Sequence, residues 1–286
     1  SRLCAYPLRF TLTLLCRLPL SLMFHVFFFN VTATTEIYTL SLHDALPIYP
    51  VKKPSAAELA EGLKDRTIQD VQRKGKYLIF PLSGGGPAVF IVHLGMTGRL
   101  RIQPQAQEPD PMTRHFFPLD DGRELRFVDG RKFGKLWLVD SPDEVLPVMS
   151  PEPFDDDFTV ETLAESFAGR KVPVKALLLE QSVACGLGNL YADESLFLAG
   201  LHPERPASEL TVEEIARLRQ AIIDSLTAAY GVYDRARDQD WPDPPTALTT
   251  WSHPRDIKAS CPNCGTNMTA IRVCARGTYF CAKCQV

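Results

Sequence analysis

Between residues 66 and 140 short apolar runs alternate with clusters of turn-forming residues, the pattern of half-buried β-strands. Thr67–Gln72, Tyr77–Leu82, Ala88–His93, Arg99–Ile102, His115–Leu119, Glu124–Val128 and Lys135–Val139 read as strands, with Ser83-Gly-Gly-Gly-Pro87 and Asp120-Asp-Gly122 among the turns between them. Short strands at this spacing predict an antiparallel sandwich or barrel. Ahead of them, residues 56–64 have helical composition, with Gly62 near the end. From about Thr159 the period lengthens to that of helices. Thr159-Val-Glu-Thr162 and Thr211-Val-Glu-Glu214 resemble capped helix starts, the second opening an amphipathic helix over Val212–Tyr230. Pro173 precedes a further helical run, Val174–Gln181, and residues 231–250, rich in Asp, Pro and Thr, read as a loop or linker. No internal repeat is present. The expected organisation is a β domain, a helical domain and a small terminal module.

The first fifty residues do not continue this pattern. An apolar stretch from Leu12 to Phe29, broken by Arg17 and His25, has the character of a signal peptide or marginal membrane anchor. No small-residue cleavage site follows it. The run Phe27–Ile48 instead resembles translated sequencing-adapter read-through, and on that reading residues 1–49 are a segment with no selected fold and no membrane role.

Composition fits an ordinary soluble protein: 286 residues, 45% apolar and 23% charged. The formal net charge of −3 argues mildly against a polyanion partner. Its distribution argues the other way. Basic residues outnumber acidic ones from Arg73 to Lys135, and Arg255–Lys283 holds five Lys/Arg against one Asp.

Five of the eight cysteines fall within the last 26 residues, which points to metal binding in a reducing compartment rather than to disulfides. Cys261-Pro-Asn-Cys264, sixteen intervening residues and Cys281-Ala-Lys-Cys284 place two thiolate pairs for one tetrahedral ion. Four soft ligands favour one zinc, with iron as the alternative, and leave no open position, so the site is structural. Between the pairs, Thr269–Cys274 and Thr278–Cys281 read as a hairpin with Arg276-Gly277 at its turn and Cys274 as a small core residue.

Three further motifs carry chemistry. Cys185-Gly-Leu-Gly-Asn-Leu-Tyr-Ala-Asp-Glu-Ser195 leads through glycines into a helix N-terminus, a ready anion site to which Asn189 adds a donor. It is also compatible with a plain inter-helix turn. His93-Leu-Gly-Met-Thr-Gly98 is a tight turn that either presents Met96 as a wedge for a base stack or buries it. Asp129-Gly-Arg-Lys-Phe-Gly134 mixes an aromatic with two cations, as nucleic-acid surfaces do and as solvated loops also do. Lys76, after Arg73 and Lys74, reads as a solvated charge or a phosphate contact.

In this order, with Lys-Tyr-Leu at 76–78, the motifs resemble the formamidopyrimidine-DNA glycosylase and endonuclease VIII family, and the Fpg branch more than Nei because of Met96 and the Arg131–Phe133 loop. The resemblance covers Pro50 to Gln285. It implies an α+β fold: an antiparallel β-sandwich domain at 50–150, a helix–two-turn–helix DNA-binding domain with linker at 151–250, and a C-terminal zinc-finger hairpin at 251–286. It further implies a bifunctional DNA glycosylase and abasic-site lyase that flips oxidised purines out of double-stranded DNA. Carried over by position, Lys76 lies near the lesion in a supporting role. Met96 and Phe133 fill the gap, Arg131 pairs with the orphaned base, and Lys175, Asn189 and Arg276 hold phosphates. The family's nucleophile is the amine of an N-terminal proline in a Pro-Glu-x-Pro-Glu start, and no such run occurs in these residues. Thr249-Thr-Trp-Ser-His-Pro-Arg255 also departs from the family's Val-Tyr-Gly-Arg-type run before the first cysteine. The expectation is therefore a base-excision-repair enzyme by family, monomeric, bacterial, cytoplasmic and nucleoid-associated, with this copy inactive as written. The alternative is a non-catalytic damaged-DNA-binding protein of the same fold; a zinc-ribbon protein unrelated to repair leaves the ordered motifs unexplained.

Overall fold

Leu78, Phe80 and Leu82 point into one apolar cluster while Ile79 between them joins another, so the strand that carries them is covered on both faces. In the computed structural model, residues 38–40, 51–53, 55–235 and 252–286 are described. The apolar stretch Leu12–Phe29, nearly all of the adapter-like run and residues 236–250 lie outside them.

The strands are β1 (Tyr38–Leu40), β2 (Val51–Lys53), β3 (Arg66–Ile68), β4 (Gln72–Lys74), β5 (Tyr77–Ser83), β6 (Val89–His93), β7 (Arg99–Pro104), β8 (Thr113–Pro118), β9 (Arg123–Val128) and β10 (Lys135–Val139), with helix α1 (Ala56–Leu63) after β2. One sheet runs β1-β3-β5-β6-β10-β2 with β4 beside β5; a second runs β7-β9-β8. All pairings are antiparallel except β10 with β2. Leu78, Phe90, Val92 and Leu136 of the first sheet meet Leu100, Phe117, Leu125 and Phe127 of the second, which makes a sandwich. Phe90 and Phe117 touch across it, ring centres 5.4 Å apart. α1 closes the cluster with Leu59 and Leu63, and Ser55 with Glu58 caps its start.

The run Thr67–Gln72 is two strands, not one. Asp70 breaks it: its carboxylate accepts the Val71 N–H at 2.8 Å and the Gln72 amide at 3.0 Å, offering the backbone a local partner in place of a ladder.

The helices are α2 (Val160–Phe167), α3 (Val174–Leu178), α4 (Asn189–Ala199) and α5 (Val212–Arg235). Thr159 caps α2, and Thr211 with Glu214 closes a reciprocal box at the start of α5. Leu177, Leu196, Leu218 and Ile222 share their core. α3 stops at Leu178, short of Gln181, and α5 runs past Tyr230 into the expected linker. Among the described residues no helix is long and apolar enough to cross a membrane.

The terminal module is a hairpin, β11 (Thr269–Val273) with β12 (Arg276–Phe280). Its two-residue turn is Cys274-Ala275, both left-handed at φ 47° and 60°. Arg276 and Gly277 thus lie in the strand rather than the turn, and Cys274 is exposed rather than in the core. A two-residue turn of this type has positive φ at both central positions, which an Asn-Gly pair adopts readily; this turn has no such pair. Ala275→Gly should therefore stabilise the hairpin, by about 0.5–1 kcal/mol. A rise in melting temperature checks it; a fall would show that the turn tolerates its side chain without strain.

Candidate nucleic-acid interface and metal centre

One buried carboxylate organises the two glycine-flanked loops singled out in the sequence. Asp129, at 0% exposure, accepts the Thr97 hydroxyl at 2.6 Å, the Arg131 N–H at 3.2 Å and the Gly134 N–H at 2.8 Å. It ties the Met96 turn to the Arg131–Phe133 loop. Gly95, at φ +65°, lies so close to that loop that a Cβ would come within 2.6 Å of the Phe133 carbonyl carbon. Held between them, Met96 and Phe133 are 64% and 53% exposed, and the Arg131 guanidinium lies 3.8 Å from the Met96 sulfur. Met96 is therefore not in the core.

A second group forms where α3, α4 and the hairpin meet. Asn189, first residue of α4, donates to the Gly277 carbonyl at 3.0 Å. Lys175 donates to the same carbonyl at 3.2 Å, to the Thr278 hydroxyl at 2.5 Å, and pairs with Asp193 at 2.6 Å. Arg276, next along the strand, is exposed. Lys175 itself is fully buried, and its three protein partners occupy the ammonium. Desolvation pulls its pKa down, against the pull of Asp193 in the other direction. Lys76 reaches the group from the β domain. Its ammonium donates to the Leu187 carbonyl at 3.0 Å and packs beside Gly188. Desolvation first, then the Arg276 charge, holds its pKa below the ordinary lysine value. Lys76 from the β4–β5 turn, Lys175 from α3, Asn189 from α4 and Arg276 from β12 are thus brought together.

The sulfurs of Cys261, Cys264, Cys281 and Cys284 all lie within 4.8 Å of one another, with Cys264–Cys281 at 3.5 Å and Cys261–Cys284 at 3.9 Å. A tetrahedral ion with bonds of about 2.3 Å needs sulfurs about 3.8 Å apart, so these residues fit a four-thiolate metal. The module stands on α4: Phe197 packs on Cys261, Met268 and Cys281, and Gln285 donates to the Leu201 carbonyl at 2.9 Å.

Comparison with known proteins places the chain in a family. The family model for the formamidopyrimidine-DNA glycosylase N-terminal domain matches residues 37–136, and that for the formamidopyrimidine-DNA glycosylase H2TH domain matches 149–235. The formamidopyrimidine-DNA glycosylase of Symbiobacterium thermophilum is 38% identical over 249 residues, 81% of this chain and 77% of that protein. The chain belongs to the formamidopyrimidine-DNA glycosylase family. The Desulfitobacterium hafniense member is 39% identical over 80% of this chain and 85% of its own. Among solved structures, MutM (Fpg) of Thermus thermophilus aligns with a TM-score of 0.72 at 35% identity over 86% of this chain and 92% of its own. Lactococcus lactis Fpg bound to DNA containing an abasic site aligns at 0.75 and 30%, over 88% and 94%. The N-terminal match takes in residues 37–49, and within it β1 pairs with β3.

In this member of the formamidopyrimidine-DNA glycosylase family, several residues that hold the interface carry no short-range signal in the sequence. Asp193 is buried between Lys175 and Arg255, the latter at 2.6 Å, and Arg255 lies 4.9 Å over the Tyr279 ring. Glu194 accepts the Ser252 N–H at 2.6 Å and meets His253 Nδ1 at 2.8 Å. The departing Ser252–Arg255 stretch is thus pinned to α4 by adjacent carboxylates. Glu152, also buried, takes the Arg73 guanidinium and, at 2.7 Å, the Gly75 N–H, joining the β domain to the helical one. Cys185 of the glycine motif is a buried thiol pushed up to about 11 by desolvation and by Glu152, which keeps it unreactive.

Proposed function

We propose that this chain recognises double-stranded DNA containing oxidised purines or their abasic products, as a monomer in the bacterial nucleoid. The family it belongs to comprises DNA glycosylases and abasic-site lyases, and the Lactococcus lactis relatives are described with abasic-site and Fapy-dG DNA. The observation that carries the reading is the convergence of Lys76, Lys175, Asn189 and Arg276 beside a loop pair that leaves Met96 and Phe133 in water. In this reading Met96 and Phe133 enter the stack, Arg131 meets the orphaned base, and the basic group takes the phosphates on either side of the flipped nucleotide. The four thiolates hold one structural zinc. The proposed division is 50–150, 151–250 and 251–286, with residues 37–49 added to the first because the family match begins there, and 1–36 set apart.

Catalysis by this family's route needs a free proline amine, and the 286 residues contain no Pro-Glu-x-Pro-Glu run. Cleavage is therefore proposed to depend on such an amine, and lesion binding on the residues described above.

Arg276→Ala tests the phosphate reading. Affinity for an abasic duplex should fall, and the slope of log affinity against log salt should flatten by about one, because one counterion-releasing contact is gone. Unchanged affinity and slope would remove Arg276 from the interface.

A further inference from the structure

The His-Leu-Gly-Met-Thr-Gly motif contains a residue that the reading above leaves without a task. His93 ends β6, between Tyr77 on one neighbouring strand and Lys135 on the other. Its ring lies 4.7 Å from the Tyr77 ring. Its Nδ1 accepts the Gly95 N–H at 3.1 Å. The turn is closed on its far side by the Gly98 N–H on the Leu94 carbonyl at 2.8 Å.

We propose that His93 is a positioning residue: by accepting the Gly95 N–H through Nδ1 it fixes the turn that presents Met96 and, through the Gly95–Phe133 contact, the second apolar wedge as well. The inference rests on the proposed binding of lesion DNA. Its geometric force comes from Gly95. That residue is left-handed, and its Cα sits where any added Cβ would strike the Phe133 carbonyl and the Gly134 nitrogen at 2.6–2.7 Å. A turn packed this closely cannot rotate without moving both Met96 and the backbone under Phe133.

The histidine must be neutral to accept at Nδ1, which places its proton on Nε2. Its surroundings keep it so. Desolvation, then the charges of Lys76 and Lys135, lower its pKa from 6.5 to about 4. A histidine pKa lowered on folding contributes stability that is present above 6.5 and is lost as pH falls from there toward 4. The turn is therefore held throughout the neutral range and weakens on acidification.

Two substitutions separate the ring nitrogens. In His93→Asn the amide oxygen takes the place of Nδ1, whereas in His93→Gln the amide reaches the place of Nε2. The 286-residue protein would be titrated onto a duplex with a tetrahydrofuran abasic analogue and 2-aminopurine beside it, and exchange of the Gly95 amide followed by NMR in the free protein. His93→Asn should bind within about twofold of the parent, keep the 2-aminopurine fluorescence rise and keep Gly95 protected. His93→Gln should bind about threefold to tenfold more weakly, as loss of one buried hydrogen bond implies, with the fluorescence rise and the protection both lost. Equal behaviour of the two variants would overturn the proposal. So would tight binding by His93→Gln alone, which would assign the role to Nε2 and a direct contact. Should the parent fail to distinguish the abasic duplex from intact DNA, the lesion-binding reading falls, and Gly95 protection still decides the inference on its own.

Discussion

Mixed with an abasic-site duplex and borohydride, the 286-residue polypeptide should give no covalent adduct, while a version opening with Met-Pro-Glu-Leu-Pro-Glu and the family's first helix should give one readily. The trapped species is the Schiff base between an amine and the sugar C1′. An α-amino group, with a pKa of about 7.7–8.0, is substantially unprotonated at neutral pH, and a proline nitrogen inside a peptide bond is not a nucleophile at all. Binding contacts position the sugar but supply no lone pair. Removing a covalent nucleophile costs on the order of 10⁴–10⁶ in rate, so the contrast between the two versions should be nearly absolute. Lys76 is the candidate stand-in. Its pKa is lowered by desolvation and by Arg276, yet its nitrogen is already engaged by the Leu187 carbonyl. An adduct from the polypeptide as written would refute the expectation, and its loss in Lys76→Ala would name the replacement. A version with the restored start that still fails to trap would direct attention to the altered Ser252–Arg255 stretch.

Metal removal should have the next largest effect. The hairpin buries few apolar side chains of its own, among them Met268, Val273 and Phe280, so a bound ion would supply much of its folding energy; zinc-finger peptides gain about 10–16 kcal/mol from theirs. Purified reduced protein should contain about one zinc. Cys281→Ser, which removes the fully buried ligand, should abolish metal content and release β12, and Arg276 with it. Binding to the abasic duplex should then fall to the level of undamaged DNA, while the β-sandwich keeps its far-UV signal. Lesion binding retained without any metal would show that the hairpin folds on its neighbours alone.

The strands were legible because a short apolar run bounded by turn-formers is a local signal: Tyr77–Leu82 lies between Lys74-Gly75-Lys76 and Ser83-Gly-Gly-Gly-Pro87. The thiolate site was legible for the same reason, its spacing being written in the chain. What escaped was set by contacts across long separations. Asp193 and Glu194 sit in a recognisable motif, but their partners Arg255 and His253 are some sixty residues away and follow no period. Glu152 lies between two prolines with nothing to mark it as the carboxylate that receives Arg73. Lys175 entered only through the resemblance, as a phosphate contact, and nothing near it in the chain signals its burial: its pair, Asp193, is brought to it only by the packing of α3 on α4. At the hairpin turn, Cys274-Ala275 lacks the glycine that would have announced it.

The carbonyl of Gly277 has a consequence for selectivity. In the free protein two of the groups proposed to hold phosphate, Lys175 and Asn189, already donate to it. An arriving phosphate oxygen has to compete with protein acceptors for the Lys175 hydrogens, whereas the Asn189 amide has a second N–H to offer. The gain is then a difference: a bond to a charged acceptor contributes about 1.5–3 kcal/mol against about 0.5–1.5 for a neutral one. An ordinary duplex passing over the surface collects little from such an exchange. On the proposed reading, only a phosphate that displaces the Gly277 carbonyl collects that difference.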